Sequence, residues 1–314
     1  MLNFYKTDSG IVREKDAIDA GVWVQLIAPT HEECLKVATE MNADVADVEA
    51  ALDIEEGSRI QLEDNYTLII VDVPVVRTED DAQNYTTIPL GMILTRENIV
   101  TICSEQTLVF APFLNGQIRN FSTEETLRFV FQILYRVATL YQYDLRMIDR
   151  RRHNIEERIE GKTGNEDLLM LYGLDTTLVY FTTSLQANRT VIDKLRRYKR
   201  FEQTDEDQEL LEDVIVENAQ AVEMCSVYLN IVNGTRELMS SVINNRLSNT
   251  MKLLTSVTIV LAIPTMISGL YGMNVNTEWV PLASTQFGFA IICLIILVVC
   301  AITVWFLHKK DMLM

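Results

Sequence analysis

Two uncharged runs near the C-terminus constrain this chain more than anything else in it. From Leu253 to Met273 it reads LLTSVTIVLAIPTMISGLYGM, and from Phe287 to Leu307 FGFAIICLIILVVCAITVWFL, 21 residues each without a charged side chain. A helix needs roughly 20 such residues to cross the hydrocarbon core of a bilayer. Buried helices of a soluble protein do not account for two such runs back to back, so a transmembrane hairpin is expected. The stretch between them, 274–286, contains no Lys or Arg, whereas Arg246 and Lys252 precede the hairpin and Lys309 and Lys310 follow it. Basic residues concentrate on the cytoplasmic flanks of spans. The short loop is therefore expected outside and both termini in the cytoplasm, in a multi-pass protein of the cell's inner (plasma) membrane, surrounded by lipid. The opening MLNFYKTDSG has no apolar stretch of the kind a secretory signal needs. Residues 1 to about 250 then read as a cytosolic domain.

Charge narrows the function. Of 314 residues 44 are acidic and 27 basic, a formal net charge of −17. A nucleic-acid binder needs basic surface to displace counterions from phosphates, so no nucleic-acid partner is expected. An acidic surface attracts cations instead. Cys34, Cys103, Cys225, Cys293 and Cys300 show no CxxC spacing and read as small buried hydrophobes in a reducing compartment. His31, His153 and His308 are far apart and form no zinc-ligand pattern. No phosphate-binding glycine loop and no catalytic constellation is present, which argues against an enzyme, an ATP site or an organic cofactor.

The two runs differ in composition. The second is almost entirely aliphatic and aromatic, as a lipid-facing helix should be. The first carries Thr255, Ser256, Thr258, Thr265 and Ser268 with Pro264 and Gly269. Thr255, Thr258, Ala262, Thr265 and Gly269 recur at steps of three or four and so form one stripe on a helix. Such a stripe is either a close helix–helix contact or the wall of a water-filled path. It continues upstream through Met251, Ser248, Asn244, Ser241, Glu237, Gly234 and Asn230. Opposite runs an apolar seam of Leu211, Val214, Ala221, Cys225, Tyr228, Val232, Met239 and Val242. One helix from Leu210 to Tyr271 would be on the order of 90 Å long at 1.5 Å per residue. Unable to bury itself alone, it is expected to pack with copies of itself, the polar stripe turned to a shared axis.

The fold class expected is an α/β cytosolic domain followed by long helices and the C-terminal hairpin. Strand-like runs occupy 22–28, 66–76, 87–94 and 98–104, and Thr30 to Glu33 and Asp44 read as caps of two intervening helices. After Phe121 the pattern is helical, opened by a second capping box at Ser122 and Glu125, with Leu127, Val130, Phe131, Leu134, Val137 and Tyr141 on one face. A turn is expected at 161–165. The basic clusters Arg150–Arg152 and Lys194–Arg200 suit either a phosphate site or pairing with nearby acids. The boundaries are then an α/β domain at 1–120, a helical hairpin at 121–202 and a stalk helix at 203–252. A pore-lining span follows at 253–273, an outer loop at 274–286, a second span at 287–307 and a basic tail at 308–314.

Tyr271-Gly272-Met273-Asn274, closing the first span ahead of a short outer loop, one more span and a basic tail, resembles the CorA magnesium-transporter family. Trp23-Val24-Gln25-Leu26 followed by Pro29-Thr30 and two glutamates is similar to that family's early strand–helix junction, and the long helix before the first span to its stalk. The resemblance covers nearly the whole chain. It implies a funnel-shaped homopentamer whose first span lines the pore and whose second faces lipid. It further implies a selectivity entrance at Gly272, Met273 and Asn274, pore positions at Gly269, Thr265, Ala262, Thr258 and Met251, and a ring of Glu237 at the cytosolic mouth. Ala262 stands where members can carry a bulky methionine, which moves the expected hydrophobic gate to Met251 and Leu254. Ser248, with Asn249 beside it, stands where some members carry asparagine.

Chemistry makes sense of this assignment. Mg²⁺ dehydrates reluctantly. A ring of neutral Asn274 amides can bind its coordinated waters without stripping them, and conduction needs binding weak enough to release. Asn is also common at a helix C-cap, so Asn274 has a structural reading as well. The membrane potential supplies roughly 4.6 kcal/mol per 100 mV for a divalent ion, twice the single-charge value. Asp205, Glu206, Asp207, Glu209, Glu212 and Asp213 crowd the start of the stalk helix, where negative charge complements the helix dipole. The resemblance adds a second role: cytosolic Mg²⁺ bridging subunits at Asp213, with Glu212 beside it, to close the channel. The reading is thus a channel for Mg²⁺, transported and regulatory, that also passes cobalt or nickel. The alternatives are a zinc or other transition-metal transporter on the same scaffold and a non-transporting two-span scaffold or sensor.

Overall fold

The computed structural model describes residues 1–8, 10–79, 82–158, 165–197, 204–274, 280–282, 285–310 and 312. The chain divides into two compact units, Met1–Arg236 and Glu237–Met314. The expected turn at 161–165 lies, save for Asn165, outside the described residues.

The first unit is built on a seven-stranded sheet of β1 (Leu2–Asp8), β2 (Ile11–Lys15), β3 (Trp23–Ile27), β4 (Arg59–Leu62), β5 (Thr67–Glu79), β6 (Ala82–Leu94) and β7 (Ile99–Cys103). The order is β2-β1-β3-β7-β6-β5-β4, and only β3 and β7 pair in parallel. The four apolar runs become β3, β5, β6 and β7. Three further strands, β1, β2 and β4, escape the sequence reading because they lie at or near the sheet edges. Their mixed polar composition suits half-solvated edges.

Helices cover both faces of the sheet, which is why the central strands are apolar at nearly every position rather than at alternate ones. On one face lie α1 (His31–Met41), α2 (Val45–Glu49) and the 3₁₀ turn Ala50–Leu52, sealing Val24, Leu26, Leu68, Ile70, Val100 and Ile102. Thr30 and Glu33 form the expected reciprocal capping box, and Asp44 Oδ1 accepts from Ala46 N at 2.9 Å. Gly91 on β6 has a specific reason: a Cβ there would meet the Ala51 Cβ at 2.8 Å, so only glycine lets the 3₁₀ turn sit on the sheet.

The other face carries the short α3 (Ala111–Leu114), α4 (Thr126–Arg158) and α5 (Asn165–Arg197). Trp23 is fully buried here among Tyr5, Phe110 and Phe129, with ring centroids 5.1–5.3 Å away. Its indole N–H donates to Thr101 Oγ1 at 2.8 Å, which removes the cost of burying that donor. The second expected capping box does not form. Ser122 Oγ accepts from Glu124 N at 3.3 Å and α4 starts at Thr126, because Thr123 is drawn into the core. Its hydroxyl donates to Gly21 O at 2.6 Å and accepts from Thr7 N at 3.0 Å.

By length and composition α5 qualifies as a membrane-crossing helix, as do α6 (Asp205–Tyr271) and α7 (Gly288–Lys309). Polar contacts tie α5 to the sheet instead. Asn188 Nδ2 donates to Asp72 O at 2.7 Å and its Oδ1 accepts from Asp72 N at 2.8 Å. Ser184 donates to Thr87 Oγ1 at 3.2 Å and Thr177 to Tyr85 O at 3.3 Å. The Arg150–Arg152 cluster resolves into local pairing. Arg152 binds Asp149 at 2.9 Å and also Glu156, and Arg151 lies over the Tyr85 ring at 5.0 Å. The second basic cluster is described only as far as Arg197.

The first part of α6 also departs from expectation. Its seam residues Leu211, Val214, Ala221, Cys225 and Val232 are buried within the single chain. Asn218 Nδ2 donates to Leu185 O at 3.4 Å and Cys225 Sγ to Leu178 O at 3.3 Å, both on α5. Gln142 of α4 donates to Glu217 Oε2 at 2.6 Å. Here the seam is therefore satisfied by α5 and α4 in cis, not by another copy of itself.

Candidate ion-conduction site

In the second unit α7 folds back against α6. The α6 side chains sheltered by this contact are Ser256, Val260, Ile263, Pro264 and Ile267. Ser256 is fully buried and donates to Met312 O at 3.0 Å. Pro264 has no N–H, so the Val260 carbonyl one turn earlier lacks its helical donor. The Cys300 thiol approaches that carbonyl at 3.9 Å. A helix-breaking residue is thus accommodated in the middle of a span by a partner from the other one.

The stripe points the other way. Met251, Leu254, Thr255, Thr258, Ala262, Thr265 and Gly269 are all exposed in the single chain. At about 100° per residue, the stripe and the face sheltered by α7 lie about 170° apart around the helix. Thr258 Oγ1 donates to Leu254 O at 2.8 Å and Thr265 Oγ1 to Leu261 O at 2.9 Å. With each hydroxyl proton spent on the helix backbone, the oxygen lone pairs remain to accept from outside. That polarity suits the water shell of a cation. A Cβ on Gly269 would meet nothing within 4 Å, so the stripe is open there.

At its C-terminal end α6 closes through backbone bonds. Gly272 N donates to Ser268 O at 2.9 Å and Met273 N to Leu270 O at 3.5 Å, while Tyr271 OH donates to Pro281 O at 3.0 Å. Asn274 lies three residues beyond the last helical residue, past the C-cap position, and is exposed. Of the expected outer loop, 274–286, the described residues are Asn274, 280–282 and 285–286.

The remaining upstream positions, Glu237, Ser241, Asn244 and Ser248, are exposed as well. The acidic cluster at the start of α6 separates into different roles. Thr204 and Asp207 cap each other reciprocally, with Thr204 N to Asp207 Oδ2 at 3.1 Å and Asp207 N to Thr204 Oγ1 at 3.2 Å. Glu206 pairs with Arg128 at 2.6 Å. Asp205, Glu209, Glu212 and Asp213 stay exposed. Together with burial and Glu217, Asp213 raises the pKa of the Tyr135 phenol. Among the described residues no group of three or more His, Cys, Asp or Glu side chains gathers into a metal-ligand set. Sequence reasoning missed Cys300 as a residue that joins the two spans and Ser256 as one that holds the tail at Met312. Nothing in periodicity marks which polar residue of a span will meet the neighbouring helix.

The family described as CorA-like Mg²⁺ transporter protein matches residues 19–309, nearly the whole chain. This chain belongs to the CorA-like Mg²⁺ transporter family. It is 27% identical over 299 residues to the cobalt/magnesium transport protein CorA of Methanocaldococcus jannaschii, covering 92% of this chain and 90% of that one. It is 21% identical over 272 residues to the protein of the same name from Thermotoga maritima, covering 85% and 76%. The complete structure of the CorA magnesium transporter from M. jannaschii superposes with a TM-score of 0.83 at 25% identity, over 98% of this chain and 96% of that one. A CorA-family chain is a membrane transporter rather than an enzyme, and the α/β domain, long helix and apolar C-terminal helix described above are those of a full CorA structure.

Proposed function

We propose that this chain is a passive channel for divalent cations, carrying Mg²⁺ and with it Co²⁺ or Ni²⁺ down the membrane potential. The observation that carries this reading is the exposed stripe of α6 turned away from α7. Polar and small residues facing open space inside a lipid-crossing segment are costly unless they line water, and a second or further copy of α6 opposite them would enclose such a path. Five copies, as the CorA resemblance implies, give rings of Thr258, Ala262, Thr265 and Gly269 below an entrance of Gly272, Met273 and Asn274. Glu237 lines the cytosolic mouth. The hydrophobic gate falls at Met251 and Leu254. In this reading 253–273 and 287–307 cross the inner membrane, 274–286 faces out, both termini are cytoplasmic, and cytosolic Mg²⁺ closes the channel through Asp213 and Glu212. Names of relatives support the cargo: those from M. jannaschii and T. maritima are called cobalt/magnesium transport proteins.

The test is uptake into liposomes under an inside-negative potential, with Mg²⁺, Co²⁺ and Zn²⁺ compared. Mg²⁺ entry that collapses with the potential is expected, and Asn274→Ala should abolish most of it while the oligomer still assembles. Full uptake by the assembled variant would remove Asn274 from the selectivity role. Entry of Zn²⁺ without Mg²⁺ would make the chain a zinc carrier on the same scaffold.

A further inference from the structure

A cavity lies in the first unit, on residues to which the proposed cation path gives no role. A cavity of about 510 Å³ opens between the segment after α3, the middle of α4 and the first turns of α6. Arg119, Gln132, Tyr135, Arg136, Thr139 and Leu210 line it, and its described lining contains no carboxylate. In a chain of net charge −17 two guanidinium groups facing one cavity are unusual company. Two atoms of its lining residues are buried and have no hydrogen-bond partner among the described residues: Arg136 Nε, a donor, and Gln132 Oε1, an acceptor. They sit one helical turn apart on α4. Buried polar atoms without partners are rare, and each asks what satisfies it.

We propose that this cavity binds a protonated phosphoryl group, as in hydrogen phosphate or the monoanion of a phosphate monoester. A guanidinium presents a planar fork of donors that matches phosphate oxygens, so Arg136 and Arg119 supply the anion contacts. The orphan acceptor at Gln132 is closed off from the cavity until its amide turns toward a bound group, and it then selects further. It needs a donor, and a P–OH group provides one where a fully ionised oxyanion does not. The Gln132 amide is held now by its Nε2, which donates to Arg119 O at the long distance of 3.4 Å, so the turn gives up only a weak bond. Pro112, Ile118 and Leu210 offer an apolar wall for the organic part of a monoester. Carboxylates stand nearby without entering the lining. Glu217 holds Gln142, Glu206 holds Arg128, Asp213 acts on Tyr135, and buried Asp144 feels the charge of Arg136. A bound group would join α4 to the start of α6 and to the 112–119 segment.

Calorimetric titration of the full-length protein in detergent, without divalent cations, tests this with inorganic phosphate and sulfate as probes at a pH of about 6, where phosphate and about half of a phosphate monoester carry a P–OH. The two anions share shape, but sulfate has no proton to donate there. Phosphate should bind at least tenfold more tightly than sulfate. Arg136→Gln should weaken phosphate at least tenfold, and Arg119→Gln, at an exposed position, should weaken it severalfold without threatening the fold. A nucleoside monophosphate that binds more tightly than phosphate identifies the ligand as a monoester, whereas equal or weaker binding identifies free phosphate. Equal affinity for phosphate and sulfate overturns the role of Gln132. Unchanged phosphate binding in both arginine variants, or no phosphate binding at millimolar concentration, overturns the site.

Discussion

The thiol of Cys300 lies 3.9 Å from the carbonyl oxygen of Val260, the acceptor that Pro264 deprives of its helical donor. In the hydrocarbon of a membrane an unmet carbonyl has no water to turn to, so a weak sulfur donor gains significance from its position. Cys300→Ala should lower the thermal stability of the detergent-solubilised protein by about 1 kcal/mol, the usual net value of one hydrogen bond. Cys300→Ser, which keeps a donor, should retain most of it. Equal melting of the two variants would show that the sulfur contributes by packing alone.

The opposed faces of α6 make a second prediction. On a background without native cysteines, single cysteines at Thr258, Thr265 or Glu237 should react with a water-soluble thiol reagent in the assembled protein. Cysteines at Leu294 or Leu297, exposed on the α7 surface turned away from α6, should be shielded by lipid and remain unreactive. The reverse labelling pattern would place the water path along the wrong helix.

Asp213 and Glu212 are exposed and free of capping duty, unlike Asp207. If Mg²⁺ bridging at these carboxylates closes the channel, Asp213→Asn with Glu212→Gln should raise the internal Mg²⁺ needed for half-inhibition and weaken protection from protease by Mg²⁺. A ligand shifts a conformational equilibrium only by its differential affinity for the two states. Were these acids merely complementary to the helix dipole, the substitutions would cost about 0.3–1 kcal/mol of stability and leave the inhibition curve unmoved. Superimposable curves would therefore end the regulatory reading and leave transport untouched.

Asp144 on α4 is nearly buried, and burial lifts its carboxyl pKa to about 7, against the opposing pull of Arg136. Because the folded pKa lies above the unfolded one, the folded state holds a proton that the unfolded state loses. Stability then falls as pH rises from about 4 to about 7 and stays low above that. The ionised carboxylate costs on the order of 4 kcal/mol at most, three pKa units at about 1.4 kcal/mol each. Asp144→Asn removes that term and should raise the melting temperature relative to the parent at pH 8.5 much more than at pH 5. An equal gain at both values would mean that Asp144 does not titrate in this range.

Much of the architecture is legible in local pattern. The capping box at Thr30 and Glu33, the Asp44 cap and the four central strands follow from residues within a turn or two of each other. Edge strands such as β2 are less legible, since a strand solvated on most sides has no apolar pattern to show. The stripe from Met251 to Gly269 was visible as spacing, and the structure adds that its members are exposed together. The seam of α6 was visible too, but its partner was not. Heptad spacing states that one face is to be buried and leaves open whether another copy or the same chain buries it.

By itself the sequence determined that two segments are apolar enough to cross a bilayer, that an α/β domain precedes them, and that one span carries a polar stripe. Each of these depends on composition or on a repeat of two to four residues, which short-range geometry imposes on any chain. Only the tertiary structure decided that α5, apolar enough to cross a membrane, lies on the sheet through Asn188 and Ser184. It also buried Ser256, bonded to Met312 O, rather than Thr255, and it left Arg136 Nε and Gln132 Oε1 buried beside a cavity with no partner among the described residues. Those outcomes depend on which distant surfaces meet. The free energy that selects such a meeting comes from burial and from hydrogen bonds spanning tens to more than a hundred residues, a range that no local pattern encodes.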